Sequence, residues 1–347
     1  MLELIKKLSN AHGVSGFEDE MRELIKTELE GFADEIKTDK MGNLVATKNG
    51  SELKLMLSAH MDEIGFVVKQ IDEKGFIRIA PIGGWFSQIA LAQRVVLYGK
   101  KKLYGVIGCK PPHIMKDEER KKAIEISEMF VDVGAKSREE VFKLGIDVGT
   151  PVAIDREVVI LANNRITGKA FDNRIGVAVA IESFKRTKSD ATIHFVATVQ
   201  EEVGLKGART SAFSIEPDVA LAIDSCVSAD FPGSESAHLD IALGKGPVIT
   251  IVDASGRGLI VSQKVLKWLK ETAEKNNIPY QLEVAEGGTT DASAINLTKH
   301  GIPAGVVSVP ARYIHSPVEV VDLGDVEKAV ELVSKAMESA KSYFGVK

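Results

Sequence analysis

Apolar residues recur at helical spacing over residues 2–10 and again over 17–29, after which the period changes. Gly13, Ser15 and Gly16 mark a turn between the two helices, and Ser15 to Glu18 has the form of a capping box before the second. Runs at 36–39 and 42–47 read as a hairpin through Lys40-Met41. A denser run at 53–59, rich in Leu and Met, reads as a buried strand that ends in His60-Met61-Asp62-Glu63. From about Gly65 to Ile154 the character is different. Short β-type runs at 66–71, 76–80, 94–97, 103–107, 129–133 and 150–154 follow in quick succession, punctuated by Gly, Lys and Pro. One helix pattern, at 138–144, opens on a second capping box, Ser137 to Glu140. Lys100-Lys101-Lys102 falls at a hairpin tip, where a solvated loop is expected.

Beyond Ile154 strands and helices alternate. Strand patterns at 158–162, 193–199, 219–223, 248–252, 280–284 and 304–309 are interleaved with helix patterns at 173–184, 208–212, 259–276, 292–299 and 325–343. This order predicts an α/β fold, a mostly parallel sheet with helices on both faces. The first segment ends on a strand of the same buried type. The β-rich stretch therefore reads as an insertion: residues 1–64 and 155–347 form one α/β domain, and 65–154 a small β module within it.

Composition narrows the classes. The chain has 347 residues, 44% hydrophobic and 27% charged, which fits a soluble globular protein. A net charge of −5 gives no electrostatic case for nucleic acid or an acidic membrane surface. No apolar run approaches a membrane span, and the N-terminal pattern is an amphipathic helix with no signal-peptide form. Cys109 and Cys226 lie far apart and make neither a disulfide framework nor a zinc-type cysteine cluster. A reducing, cytoplasmic location is the simplest expectation.

Candidate chemistry lies where strands should end. Thr198-Val199-Gln200-Glu201-Glu202-Val203-Gly204 closes an apolar run on two adjacent carboxylates and a glycine that permits a turn. His60 with Asp62, Asp172, Asp224 and His315 fall at other strand ends or in the loops after them. Ligands of open α/β sheets bind beyond the carboxyl ends of the strands. Taken singly, His60 reads as a hydrogen-bonded strand-end histidine, Asp172 as a helix N-cap, Asp224 as a turn residue and His315 as a structural loop residue. Taken together, two imidazoles and several carboxylates form a donor set for a pair of divalent ions, and zinc, cobalt and manganese all suit it. His12, His238 and His300 sit in polar contexts and are expected in solvent, and His194 lies inside a strand with no partner near it in sequence. His113, between prolines and Ile114, is assigned to an interface.

The segments Ser58-Ala59-His60-Met61-Asp62-Glu63-Ile64-Gly65, Ala170-Phe171-Asp172-Asn173-Arg174, Val199 to Gly204, Ala222-Ile223-Asp224 and Arg312-Tyr313-Ile314-His315-Ser316, taken in order, resemble those of the TET aminopeptidases. These are di-metal exopeptidases also labelled deblocking or glutamyl aminopeptidases, and sometimes cellulases. The resemblance covers essentially the whole chain. It implies that His60 and Asp224 bind one metal, Glu202 and His315 the other, and Asp172 bridges them. It makes Glu201 the general base, with Asp62 orienting His60. It further implies that the β module is a dimerisation domain and that dimers assemble into a hollow tetrahedral dodecamer. Thr289, in Gly287-Gly288-Thr289-Thr290-Asp291, stands where the family often has glycine.

The expected function is therefore a metal-dependent aminopeptidase acting on short peptides through a water between the two ions, with Glu201 taking its proton. Adjacent strand residues point to opposite faces, so Glu201 and Glu202 can share one site only if the chain leaves strand geometry there. Three other functions compete: an N-acyl deacylase on the same donor set, a glycosidase and a non-catalytic peptide-binding oligomer. Glycosidases need two flanking carboxyls rather than this donor set, and an aromatic content of 6% is poor for sugar platforms.

Overall fold

The computed structural model describes residues 1–235 and 238–345. Helices α1 (Leu2–Asn10) and α2 (Asp19–Leu29) precede strands β1 (Glu35–Thr38), β2 (Leu44–Lys48) and β3 (Ser51–His60). Next come β4 (Gly65–Ile71), β5 (Ile77–Ile82), β6 (Arg94–Tyr98), β7 (Lys102–Gly108), β8 (Phe130–Asp132) and β9 (Pro151–Ile154). The short helices α3 (Ser87–Ala90), α4 (Asp117–Arg120) and α5 (Arg138–Lys143) lie between them. The remainder runs β10 (Val159–Ile160), β11 (Arg165–Gly168), α6 (Phe171–Arg186), β12 (Ala191–Thr198), α7 (Lys206–Ile215) and β13 (Val219–Val227). It continues β14 (Val248–Val252), α8 (Gln263–Lys275), β15 (Gln281–Val284), α9 (Asp291–Asn296), β16 (Ala304–Ala311), β17 (Glu319–Asp322) and α10 (Leu323–Phe344).

An eight-stranded sheet in the order β1-β2-β12-β3-β13-β16-β14-β15 forms the centre. Its middle four strands, β12, β3, β13 and β16, are mutually parallel, while β1, β2 and the β14–β16 pairing are antiparallel. Helices α6, α8 and α10 pack on one face and α7 and α9 on the other. The middle strands are apolar on both faces because both are covered, and β16 is buried along its whole length. Long-range packing is dense here: Trp268 of α8 is fully buried and its indole N–H donates to the Ala336 carbonyl of α10 at 3.1 Å.

Strands β4 to β9 close into a barrel with its own apolar core, built on Phe66, Val95, Leu97, Val131 and Val152. Among the described residues no helix is long and apolar enough to cross a membrane.

Four local expectations change. Ser15 and Glu18 do not form a capping box, because both side chains turn to the site described below. The pattern at 158–162 yields only β10, which pairs antiparallel with β11 in a separate three-stranded sheet, β10-β11-β17. Helix α8 starts at Gln263 rather than 259, capped by the Ser262 hydroxyl. Residues before it run alongside β14 instead, with Val261 N–H donating to the Ile251 carbonyl at 3.0 Å. Strand β13 runs on to Val227, so Asp224 lies inside a strand, opposite Ser308, rather than at a turn.

Candidate active site

Parallel pairing puts the candidate residues on one level. His60, the last residue of β3, lies opposite Thr198, the last of β12. Asp224 of β13 is two residues beyond the Ala222–Ser58 pair, and so comes level with His60. Helix α6 brings in Asp172 at its first turn, where the backbone is non-helical, so the carboxylate serves the site and does not cap the helix. His315 arrives in the loop between β16 and β17, in the left-handed region at φ 61°.

Glu201 and Glu202 converge because the chain leaves strand geometry at once. Gln200 is left-handed at φ 54°, and the Gly204 and Leu205 N–H groups both donate to the Glu201 carbonyl, which closes a turn. Three side chains from elsewhere hold this turn. Asp62 accepts the Glu201 N–H at 3.0 Å on one oxygen and the Glu202 N–H at 3.2 Å on the other. The Ser15 hydroxyl donates to the same Asp62 at 2.6 Å. Glu18 accepts the Gln200 N–H at 3.1 Å, and Asn43 accepts that of Val199 at 3.0 Å.

The result is a tight donor cluster. His60 Nε2 stands 3.3 Å from Asp172, 3.7 Å from Asp224 and 3.8 Å from Glu201. His60 Nδ1, on the far side of the ring, faces Asp62 at 3.5 Å. His315 Nε2 lies 3.2 Å from Glu202 and 3.4 Å from the second oxygen of Asp172. Two groups could each hold a metal ion: His60, Asp172 and Asp224, with donor atoms within 4.8 Å of one another, and Asp172, Glu202 and His315 on the same measure. Asp172 belongs to both.

Burial pushes Glu201 well above the usual carboxylate range, with Asp224, Asp291 and Glu202 adding to the rise against the pull of His60. Glu202 and Asp224 also rise, mainly through burial. Burial alone would lower the His60 imidazole, but Glu201, Asp172, Asp224 and Asp62 outweigh it and hold it well above its ordinary value. Asp172 and Glu202 hold His315 up at about 11. Carboxylates thus outnumber cationic groups in a largely buried site, and Glu202 Oε1 is buried with no hydrogen-bond partner. This oxygen and nitrogen donor set, with its excess negative charge, fits divalent cations.

The cluster opens into a cavity of about 970 Å³. Asp253, Glu283 and the 285–290 loop, which includes Glu286 and Thr289, also line it. Among the described lining residues there is no Lys, Arg, Phe, Tyr or Trp.

Sequence reading missed several residues that build the site. Glu319 is 1% exposed and accepts the Asp172 N–H and the His315 N–H, each at 2.9 Å. Asp291 accepts the Thr198 hydroxyl at 2.6 Å, and burial pushes its carboxyl up to about 7. Glu63 pairs with Lys169 at 2.6 Å and Arg174 at 3.3 Å in a buried cluster under the site. The one signal for these was the proximity of Glu63, Arg174 and Glu319 to flagged residues. The histidines expected to lie apart are mixed. His12 is buried and stacks on Tyr98 at 3.5 Å, and His194 meets the Thr47 hydroxyl at 3.0 Å; His113 and His300 are exposed, and His238, also exposed, lines the cavity.

An aminopeptidase from the archaeon Desulfurococcus kamchatkensis has a similar structure at TM-score 0.94, with 48% identity, covering 99% of this chain and 97% of that one. The TET1 peptidase of Pyrococcus horikoshii, which can assemble into a tetrahedron or a large octahedral shell, matches at TM-score 0.88 and 35% identity over 97% and 98%. The lysyl aminopeptidase of Pyrococcus furiosus is 36% identical over 98% of this chain and 97% of its own. The class is thus that of peptide hydrolases acting as aminopeptidases, of the TET type. Residues 42–332 match the model of the M42 glutamyl aminopeptidase family, and the chain belongs to that family.

Proposed function

We propose that the protein removes single residues from the N-termini of short peptides with two divalent ions, zinc first and cobalt or manganese as alternatives. His60 and Asp224 would hold one ion, Glu202 and His315 the other, and Asp172 both. The observation that carries this reading is the pair of donor groups sharing Asp172. When bound, such a pair acidifies a water between the ions and polarises a carbonyl. Glu201, facing the cluster but outside both donor groups, takes a proton from the attacking water and passes it to the leaving amine. Asp62 keeps the His60 ring turned toward the cluster and pins the Glu201 and Glu202 amides.

The cavity favours a free α-amine. Its carboxylates, without Lys or Arg among the described lining residues, suit a cationic amine better than an N-acyl group, which speaks against the deacylase. The lack of aromatic side chains in the same lining speaks against sugar stacking and a glycosidase. We assign residues 65–154 to pairing between subunits. The barrel exposes Tyr104 at 67% and Val106 at 49% on β7, and β10 exposes Val159 and Ile160 at 55% and 60%. These exposed apolar residues support self-association; a dodecamer built from dimers is proposed by likeness to the TET peptidases, and a cytoplasmic location goes with this reading.

Glu201→Gln tests the core of the proposal. The variant is expected to keep both metals and to lose roughly 10²–10⁴-fold in kcat, measured by metal content and by release of the N-terminal residue from a panel of free and N-acylated peptides. Normal turnover by this variant removes Glu201 from the mechanism, and a wild type that cleaves only the acylated peptides, releasing the acyl group, turns the reading to a deacylase.

A further inference from the structure

Glu319 lies outside both donor groups, yet its two carboxylate oxygens each accept one backbone N–H, from Asp172 and from His315, at 2.9 Å. Asp172 and Glu319 are 147 residues apart in sequence. They meet through the small sheet: β17 pairs antiparallel with β11, Glu319 falls opposite Gly168, and the chain then enters the turn that carries Asp172. The loop bearing His315 is closed at its base by Arg312 and Val320, which exchange backbone hydrogen bonds at 2.9 and 3.1 Å. A carboxylate buried only for charge balance would take a cation, but the buried Lys169 is paired with Glu63 instead. Glu319 has no ion-pair partner among the described residues, so its two acceptors are spent on the backbone beneath two candidate ligands.

We propose that Glu319 is a positioning residue that sets the distance between Asp172 and His315 and so controls one metal group selectively. Both backbones it holds belong to the Asp172–Glu202–His315 group. The His60–Asp172–Asp224 group is touched at one ligand only, and its other two ligands are fixed by β3 and β13. Loss of the Glu319 carboxylate therefore weakens the first group and largely spares the second. Outer carboxylates of this kind are worth about 10–100-fold in metal affinity.

This inference rests on the two-ion reading, and the experiment separates the two. Metal-free wild type and Glu319→Gln are titrated with cobalt(II), followed by calorimetry and by the visible cobalt bands. A glutamine offers one acceptor oxygen and sets an NH₂ group against the other N–H. Wild type is expected to bind two ions, and Glu319→Gln to lose about 10–100-fold in one step while the other changes less than about 3-fold. His315→Ala is expected to lose that same step, and adding Glu319→Gln to it to change nothing more. If Glu319→Gln fails to fold, Glu319→Asp replaces it, being too short to reach both N–H groups. Equal weakening of both steps, or of neither, overturns the positioning role while leaving the two-ion reading intact. A wild type that binds only one ion overturns both.

Discussion

His12 makes a sharp test of how burial couples this fold to pH. Its imidazole is 6% exposed, stacks on Tyr98 at an interplanar angle of 8°, and its Nδ1 has no hydrogen-bond partner. Burial lowers its pKa from 6.5 to about 4, with Lys169 and Arg174 adding to the fall and Glu63 and Glu20 opposing it. The folded-state pKa is thus below that of the unfolded chain. Above 6.5 the ring is neutral in both states and costs nothing. Between about 6.5 and 4 the unfolded chain binds a proton that the folded chain refuses, so stability falls as pH drops through that window. At 1.36 kcal/mol per unit, a shift of this size amounts to about 3 kcal/mol lost by pH 4. His12→Phe keeps an aromatic ring on Tyr98 and removes the titration. Urea unfolding at pH 7, 6, 5 and 4 is expected to show the variant losing about 3 kcal/mol less than wild type across the series. A larger ring that overpacks lowers the whole curve and leaves this difference in slope intact. Parallel curves for the two proteins refute the reasoning.

Glu63→Gln leaves Lys169 and Arg174, 6% and 0% exposed, without their anion, and is expected to cost about 3–5 kcal/mol of stability by urea unfolding at pH 7. Glu63 is held below the usual carboxylate range because Lys169 and Arg174 outweigh its burial, so its contribution is present above about pH 4.5 and lost on acidification; a variant within 1 kcal/mol of wild type contradicts this. Asp62→Asn removes one of the two oxygens that serve Ser15, Glu201 and Glu202, and is expected to lower both metal affinity and kcat by about 10–100-fold, read by chelator competition and steady-state kinetics. Unchanged metal affinity in that variant would separate Asp62 from the His60 ring.

Two kinds of information were legible in the chain to different degrees. The alternation after Ile154 and the doubly covered apolar strands specify an α/β sheet, because burial on both faces requires long runs without polar residues. His60 and Glu201 stood out for the same reason, since an apolar strand that stops on ligand-type residues is a pattern within a few positions. Asp224 stood out too, but for a partly wrong reason, as its strand continues past it. Strands β11 and β17 have no counterpart in the sequence pattern and β10 is only part of its run, because the three exist through pairing with one another, which joins segments about 150 residues apart.

Local pattern set the residue types and the strands that carry them. Tertiary structure decided which backbones those residues would share. Glu18 looked like a cap and instead holds the Gln200 amide, 182 residues away. Ser15 joins Asp62, and Glu319 joins Asp172 to His315. His12 looked solvated and is buried against a barrel strand. Each of these depends on segments far apart in sequence meeting in the fold, and no periodicity within one segment records who its distant neighbour is. The two glutamates after β12 show both sides. Their adjacency is written in the chain, but their facing one cluster is decided by a left-handed Gln200 and by the Asp62 carboxylate that draws both amides to itself.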